Sequence, residues 1–334
     1  MDITSPIELT QALNEYLPPS RFFTSQFFGE QVHGTVGVMV DIVKGSTKIA
    51  PYGHRGAEAT TAYRDGYETK TFNTYPINLK RPTTAIDMLK RMPGEAVTFV
   101  GGARNAEAAA VALMAHDQAE LANMVNRAIE KYSIDALVNG TLTVAGETID
   151  FGVKASHKVT KTGTATWNGN AAKIVDDLED WQALIAQDSG LTGTDLVLGK
   201  SARKALLADS KVQELLDIRN VNGLTAELNL MVGRGARYLG NLGGLRLWAY
   251  DEIYDNAGTP TAMVPDAKVI LISKDIRATV HYGAIDDVQG GRFATKMFSK
   301  TWATEDPSVQ WVAVKSAPLP VIEQADGYVV ATVV

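Results

Sequence analysis

No proline or glycine interrupts the chain between Asn105 and Asn139, and alanine recurs throughout this stretch. The residues most costly to a helix interior are therefore missing from a run of about thirty-five positions. At ~1.5 Å per residue the run makes a rod of ~50 Å, roughly three times the mean helix length. Asn105 is the candidate N-cap and Asn139-Gly140 the stop. Val111, Met114, Leu121, Val125, Ile129 and Tyr132 trace one apolar stripe at i, i+3/i+4 spacing, interrupted at Gln118. Such a rod sets the dimensions of whatever packs along it, and a compact enzyme seldom needs one.

The segments before the rod read as extensions. Residues 1–51 form an arm: a short helical signal from Pro6 to Leu17, Pro18-Pro19, the aromatic patch Phe22, Phe23, Phe27 and Phe28, and the apolar run Val36 to Val43. Phe23 and Phe27 share a helix face at i, i+4, and core packing is the simpler reading of the patch beside an intermolecular anchor. Residues 52 to about 95 are poor in apolar side chains, and Tyr67, Thr69, Thr71, Asn73 and Tyr75 alternate as in a two-stranded ribbon. A long stretch of this kind inside a compact chain is usually functional or disordered; a projecting β-hairpin is expected.

Beyond the rod, Thr141 to Phe151 read as a hairpin with Leu142 and Val144 facing Ile149 and Phe151 across Ala145-Gly146. Residues from about 170 to 290 alternate helix and strand signals. Ile174, Leu178, Trp181 and Ile185 mark an amphipathic helix ended by Gly190, and Asp195 to Leu198 a short buried strand. Ser201 is placed as the cap of the next helix, which carries Leu206, Leu207, Val212, Leu215 and Leu216. Leu245 to Tyr250 and Lys268 to Ile272 are strands. Near the end, Trp311 to Ser316 alternate as a strand, which Pro318 and Pro320 limit because neither donates to a sheet ladder. Val321-Ile322 and Tyr328 to Val334 resume β character around Asp326-Gly327.

Chemistry finds little to work with. The 334 residues include no cysteine, which excludes disulfides, thiolate nucleophiles and cysteine zinc sites. His33, His54, His116, His157 and His281 are too far apart for a local pair such as HExxH. Gly199-Lys200-Ser201 follows an apolar strand as in a P-loop, but Gly193 lies six positions before Gly199, one more than the pattern allows. Asp195 to Leu198 are also needed as strand, which leaves no loop to cradle phosphate. Gly233 to Tyr238 lacks the third glycine of a dinucleotide fingerprint. Asp176, Asp177, Glu179 and Asp180 suit the first turns of a helix, as a solvated face favoured by the dipole. No catalytic, cofactor or metal residue is assigned, and the chain is expected not to be an enzyme.

A net charge of −6 disfavours gripping nucleic acid through its phosphates. The longest apolar run, Ala108 to Ala115, is eight residues, far below the ~20 of a spanning helix, so no membrane residence is expected. The first ten residues show no secretion signal, which points to a cytoplasm. The segment from Asn78 to Arg91 opposes the overall charge: Lys80, Arg81, Lys90 and Arg91 face the single acid Asp87, a local +3. These four bases are the candidate assembly contacts.

Trp302, Thr304, Asp306-Pro307 and Ser316-Ala317-Pro318-Leu319 stand in an ordered pattern that resembles the lambda-type major coat proteins of tailed bacteriophages. Tyr254, Asn256, Gly258, Pro265 and Asp266, and then Tyr282-Gly283 with Asp286, extend the resemblance. It implies an α+β chain of the Hong Kong 97-type coat fold. Its parts would be an N-terminal arm (1–51), an extended loop (52–99), a peripheral domain with a spine helix (100–165, completed by C-terminal strands 290–334) and an axial α/β domain (166–289). It also implies hexamers and pentamers closing into an icosahedral head around double-stranded DNA held without sequence-specific binding. Assembly would take place in the host cytoplasm, with a separate scaffolding protein, a portal and a head decoration protein as partners and no cofactor. Two other readings stand beside it: an encapsulating compartment of the same fold, and a P-loop-like nucleotide-binding enzyme.

Overall fold

The uninterrupted run forms the expected rod, one helix from Ala106 to Asn139. The computed structural model describes residues 21–43, 67–84, 86–87, 106–215, 235–288, 291–306 and 308–334. Helix α1 (Phe22–Phe27) and strands β1 (Gly29–Val32), β2 (Gly37–Val43), β3 (Tyr67–Asn73) and β4 (Ile77–Thr84) precede the 34-residue helix α2 (Ala106–Asn139). After it come β5 (Thr141–Val144), β6 (Glu147–Asp150), β7 (Lys158–Thr160), α3 (Ile174–Ser189), β8 (Asp195–Leu198), α4 (Lys200–Ala208) and α5 (Ser210–Leu215). The described residues after α5 are mostly strand: β9 (Ala236–Leu242), β10 (Leu245–Tyr250), β11 (Ile253–Asn256), β12 (Thr259–Ala262), β13 (Lys268–Ile272), β14 (Ala278–Tyr282) and β15 (Ile285–Asp287). Then follow β16 (Gly291–Phe293), β17 (Phe298–Thr304), β18 (Val309–Ser316), β19 (Pro318–Ile322) and β20 (Tyr328–Thr332).

Leu121, Val125 and Ile129 of the predicted stripe are buried, while Val111, Met114 and Tyr132 are half-buried. The candidate cap Asn105 lies outside the described residues. Gly140 ends the helix at φ 64°, with its N–H donated to the Ala136 carbonyl at 2.9 Å. The last turn of α2 contains no base of its own. The Lys158 side chain packs over Gly140 instead, bringing a positive charge to the negative end of the helix dipole.

A six-stranded sheet in the order β7-β20-β13-β8-β10-β9 lies between two sets of helices. Leu196, Leu198, Leu247, Val269, Leu271 and Val329 join Leu178, Trp181, Ile185 and Leu206 of α3 and α4 on one face. Val197, Trp248, Ile270 and Val330 join the α1 and α2 side chains on the other. Strands buried on both faces have no polar alternation, which is why β8 and β13 are short apolar runs. The Phe22 to Phe28 patch belongs to this core: Phe22 lies 5.1 Å from Trp248 and 5.9 Å from Tyr250 between ring centroids. Core packing is therefore the correct reading of those four rings.

Several strands pair differently from the sequence reading. The β3 ribbon is antiparallel to β2, from the arm, with Gly37 opposite Asn73 and Val43 opposite Tyr67, so it is not a hairpin contained within 52–99. Strand β4 leaves that ribbon and completes a sheet in the order β17-β18-β4. The last strand, β20, sits between β7 and β13 in the six-stranded sheet, which therefore takes strands from both sides of the expected 166–289 segment. Val144 is paired with Glu147, not Phe151, because the β5–β6 turn is only Ala145-Gly146, both at positive φ.

Candidate assembly surface

Strand β4 carries the described part of the basic segment, and period-2 geometry sends its neighbours to opposite faces. Register places Pro82 opposite Trp311 and Trp311 opposite Trp302; Arg81, Val312 and Thr301 form the adjoining row. Buried Val312 and Val314 point the inner face toward α2. Arg81 follows them inward, donating to Asp117 at 2.8 Å and to Glu120. Hydrogen bonding to Glu120 and then Asp117 raises its pKa, and the same contact lowers that of Glu120. Lys80 points outward, exposed, with its ammonium 4.6 Å from the Trp311 ring centroid. Trp302 and Trp311 stack at 6.1 Å and 13° between planes, and the Trp311 indole N–H donates to Thr304 Oγ1 at 3.1 Å. Of the four candidate bases, the structure thus brings Lys80 to an outer aromatic platform and commits Arg81 to the chain's own spine. Lys90 and Arg91 lie outside the described residues.

The clusters that resemble cation sites are filled by the chain's own cations. His116, Asp117 and Glu120 converge, but the Arg81 guanidinium lies against both carboxylates. His157, Asp188 and Asp326 also converge, and the Lys154 ammonium bridges the two aspartates at 3.0 and 3.5 Å. His157, fully buried, spans the Tyr328 carbonyl at 2.7 Å and Asp188 at 2.9 Å. The His157 and Lys154 contacts hold the Asp188 pKa below its ordinary value. Asp177 is no solvated acid either: it accepts from Lys161 at 2.5 Å and from the Trp167 indole at 3.2 Å.

The glycine before Lys200 has a packing reason. A Cβ on Gly199 would lie 2.4 Å from the Pro265 carbonyl oxygen. The N–H groups of Ser201 and Ala202 both donate to the Asp266 carbonyl at 3.0 Å, leaving neither for a phosphate. Ser201 is not the cap: helix α4 starts at Lys200 after Gly199, with no side-chain cap bond. Exposed Lys200 is therefore expected to be dispensable. Calorimetric titration should detect no magnesium-dependent ATP binding by wild type or Lys200→Ala, and both should unfold at the same temperature. Micromolar binding abolished by the substitution would contradict this.

Sequence reading missed the protruding apolar groups. Met39 on β2 is 75% exposed, Ile253 on the β11–β12 hairpin 60%, and Val288 beside β15 is fully exposed. Met39 was read only as part of the apolar run Val36 to Val43, and exposure depends on which sheet a strand joins. Among the described residues, no helix is long and apolar enough to cross a membrane.

A long helix packed beside mixed sheets, with the two-stranded β2–β3 ribbon, is the architecture of the Hong Kong 97-type coat fold. The same fold occurs in a prophage capsid protein from Escherichia coli CFT073, with a TM-score of 0.78 at 20% identity over 98% of this chain and 99% of that one. A phage-related protein from Bordetella bronchiseptica RB50 superposes with a TM-score of 0.59 at 15% identity, over 98% and 96%. Residues 5–333 match the family Phage major capsid protein E, and the chain belongs to that family. It is 26% identical to the major capsid protein of Escherichia phage lambda over 213 residues, 60% of this chain and 61% of that protein. A prophage-derived major head protein of Escherichia coli O6:H1 is 24% identical over 326 residues, 93% of each chain.

Proposed function

We propose that copies of this chain associate as hexamers and pentamers into the icosahedral head shell of a tailed phage, enclosing double-stranded DNA without reading its sequence. The observation that carries this reading is the family match along almost the whole chain, residues 5–333. The role is structural, not catalytic. Assembly takes place in the host cytoplasm on a separate scaffolding protein, with a portal and a head decoration protein as further partners. A subunit of net charge −6 gives packaged DNA a wall to which it does not adhere. Electron microscopy and sedimentation of the full chain, expressed alone and with candidate scaffold proteins, test the reading. Closed shells with fivefold vertices are expected; a protein that stays monomeric under every condition would overturn it.

Lys80, Lys90 and Arg91 act in this reading as basic docking groups, where opposite charge sets register and encounter rate. Lys80→Glu is expected to change subunit stability by no more than ~0.5 kcal/mol, because its side chain is exposed, yet to lower shell yield about tenfold. Arg81→Glu should behave differently, placing a third carboxylate beside Asp117 and Glu120 and destabilising the subunit itself by ~1–2 kcal/mol. Urea unfolding and sedimentation, run side by side on the two variants, separate the effects. Normal shells from Lys80→Glu would remove that side chain from the assembly surface.

A further inference from the structure

The β2–β3 ribbon, whose Val38 and Val40 are buried in the main core, follows a short stretch that buries little apolar surface of its own. Strand β1 has only four residues, all exposed, and pairs in parallel with β14 at the edge of the sheet β1-β14-β19. After it the chain crosses Gly283 and Ala284 to the ribbon. Ala284 N–H donates to the Thr35 carbonyl at 3.0 Å, and Thr74 N–H to the Val36 carbonyl at 3.1 Å. An edge segment with so little buried apolar surface lies at the low end of local stability.

A side-chain contact stands at the junction. His33, directly after β1, donates its backbone N–H to the Tyr282 carbonyl at 2.8 Å. Its Nε2 lies 2.9 Å from Nδ1 of His281, a buried residue of β14, and the rings are 5.1 Å apart. On the far side of His281, Nε2 has the Glu323 carboxylate at 3.7 Å and no closer partner among the described residues. One arrangement of protons suits all three groups. His33 donates from Nε2 to His281 Nδ1, and the His281 Nε2–H is turned toward Glu323.

We propose that His33 and His281 form a proton-operated latch at the root of the β2–β3 ribbon, closed while the pair carries at most one added proton and open when both rings are charged. A first added proton keeps one N–H between the facing nitrogens, and Glu323 is placed to stabilise that single charge. A second puts two N–H groups face to face at hydrogen-bond distance, and the rings must part. Other charges around the pair do not take over its role. On β1, Glu30 is neutralised by Arg21 and Lys296 and bonded by the Tyr282 hydroxyl. Arg277 and the Thr279 hydroxyl act on Glu323.

Burial, and then the charge of His281, lower the His33 pKa, while the facing His281 imidazole lowers that of Glu323. The undocked segment therefore takes up its proton at higher pH than the docked one. Docking is strongest above the ordinary histidine value of ~6.5 and weakens as pH falls through it. Ribbon contacts with neighbouring copies rest on the proposed function; the latch belongs to the single subunit.

Hydrogen exchange of the unassembled full chain in EDTA, corrected for intrinsic rates, tests it at pH 7.5 and pH 5.0. Protection of residues 29–36 should fall at least tenfold in wild type and change less than threefold in His33→Gln, which keeps an amide donor but does not titrate. Side-chain nitrogen spectra of wild type provide a reading independent of any variant: one proton should enter the pair first, and the second should enter together with loss of protection. Parallel pH profiles for wild type and variant, or two rings titrating independently at ordinary values, would overturn the latch whether or not shells form.

Discussion

Leu121→Pro is expected to leave almost no soluble subunit. Leu121 is buried in the interior of α2, far from both ends of the helix. Proline there removes an interior hydrogen bond and drives its ring into the preceding turn, at ~3 kcal/mol or more. Loss of the leucine side chain adds the ~2–5 kcal/mol of a large-to-small core change. Together these approach the whole ~5–15 kcal/mol by which a domain is stable. Leu121→Ala, which suffers only the second loss, should fold with a lowered urea midpoint. Soluble yield and helical circular dichroism of the two variants decide the matter, and a proline variant as soluble as wild type would show that α2 is not the continuous support of the fold.

Helices of this chain were legible because their signal is local. The stripe from Val111 to Tyr132 and the Ile174, Leu178, Trp181, Ile185 set each repeat within a few turns, and both became buried or half-buried faces. Strands were legible one by one, but their partners were not. Period-2 alternation shows that Tyr67 to Asn73 is extended and does not show that its partner is Gly37 to Val43. Strand β4 finds β18, more than two hundred residues away, for the same reason. The division of Lys80 from Arg81 was available in principle, since adjacent residues on a strand point to opposite faces. It needed the stretch to be read as strand and not as hairpin tip. Buried charge was the least legible feature: Asp177 looked solvated because Lys161 and Trp167 reach it from an irregular segment with no period. The family pattern around Trp302 and Ser316-Ala317-Pro318-Leu319 worked because it does not depend on knowing which strand pairs with which.

Glu130→Ala is expected to loosen the arm from the spine at a cost of about 3–5 kcal/mol. Glu130 is 0% exposed on α2, and burial raises its pKa against the donors that surround it. The Phe23 and Thr24 N–H groups donate to it at 2.6 and 3.1 Å, the Thr24 hydroxyl at 2.6 Å and the Tyr250 hydroxyl at 3.3 Å. One carboxylate thus satisfies the start of α1 and ties it to both the spine and the six-stranded sheet. Removing it strands two backbone donors and two hydroxyls beside the Phe22 and Phe23 rings. Glu130→Gln should cost roughly half as much, since its amide keeps the shape and one acceptor but turns N–H groups toward existing donors. Urea midpoints should rank wild type above Gln above Ala, with hydrogen exchange at residues 22–27 rising in the same order while α3 stays protected. Equal midpoints for all three would mean that water replaces the carboxylate at no cost, and that the arm is held by its phenylalanines alone.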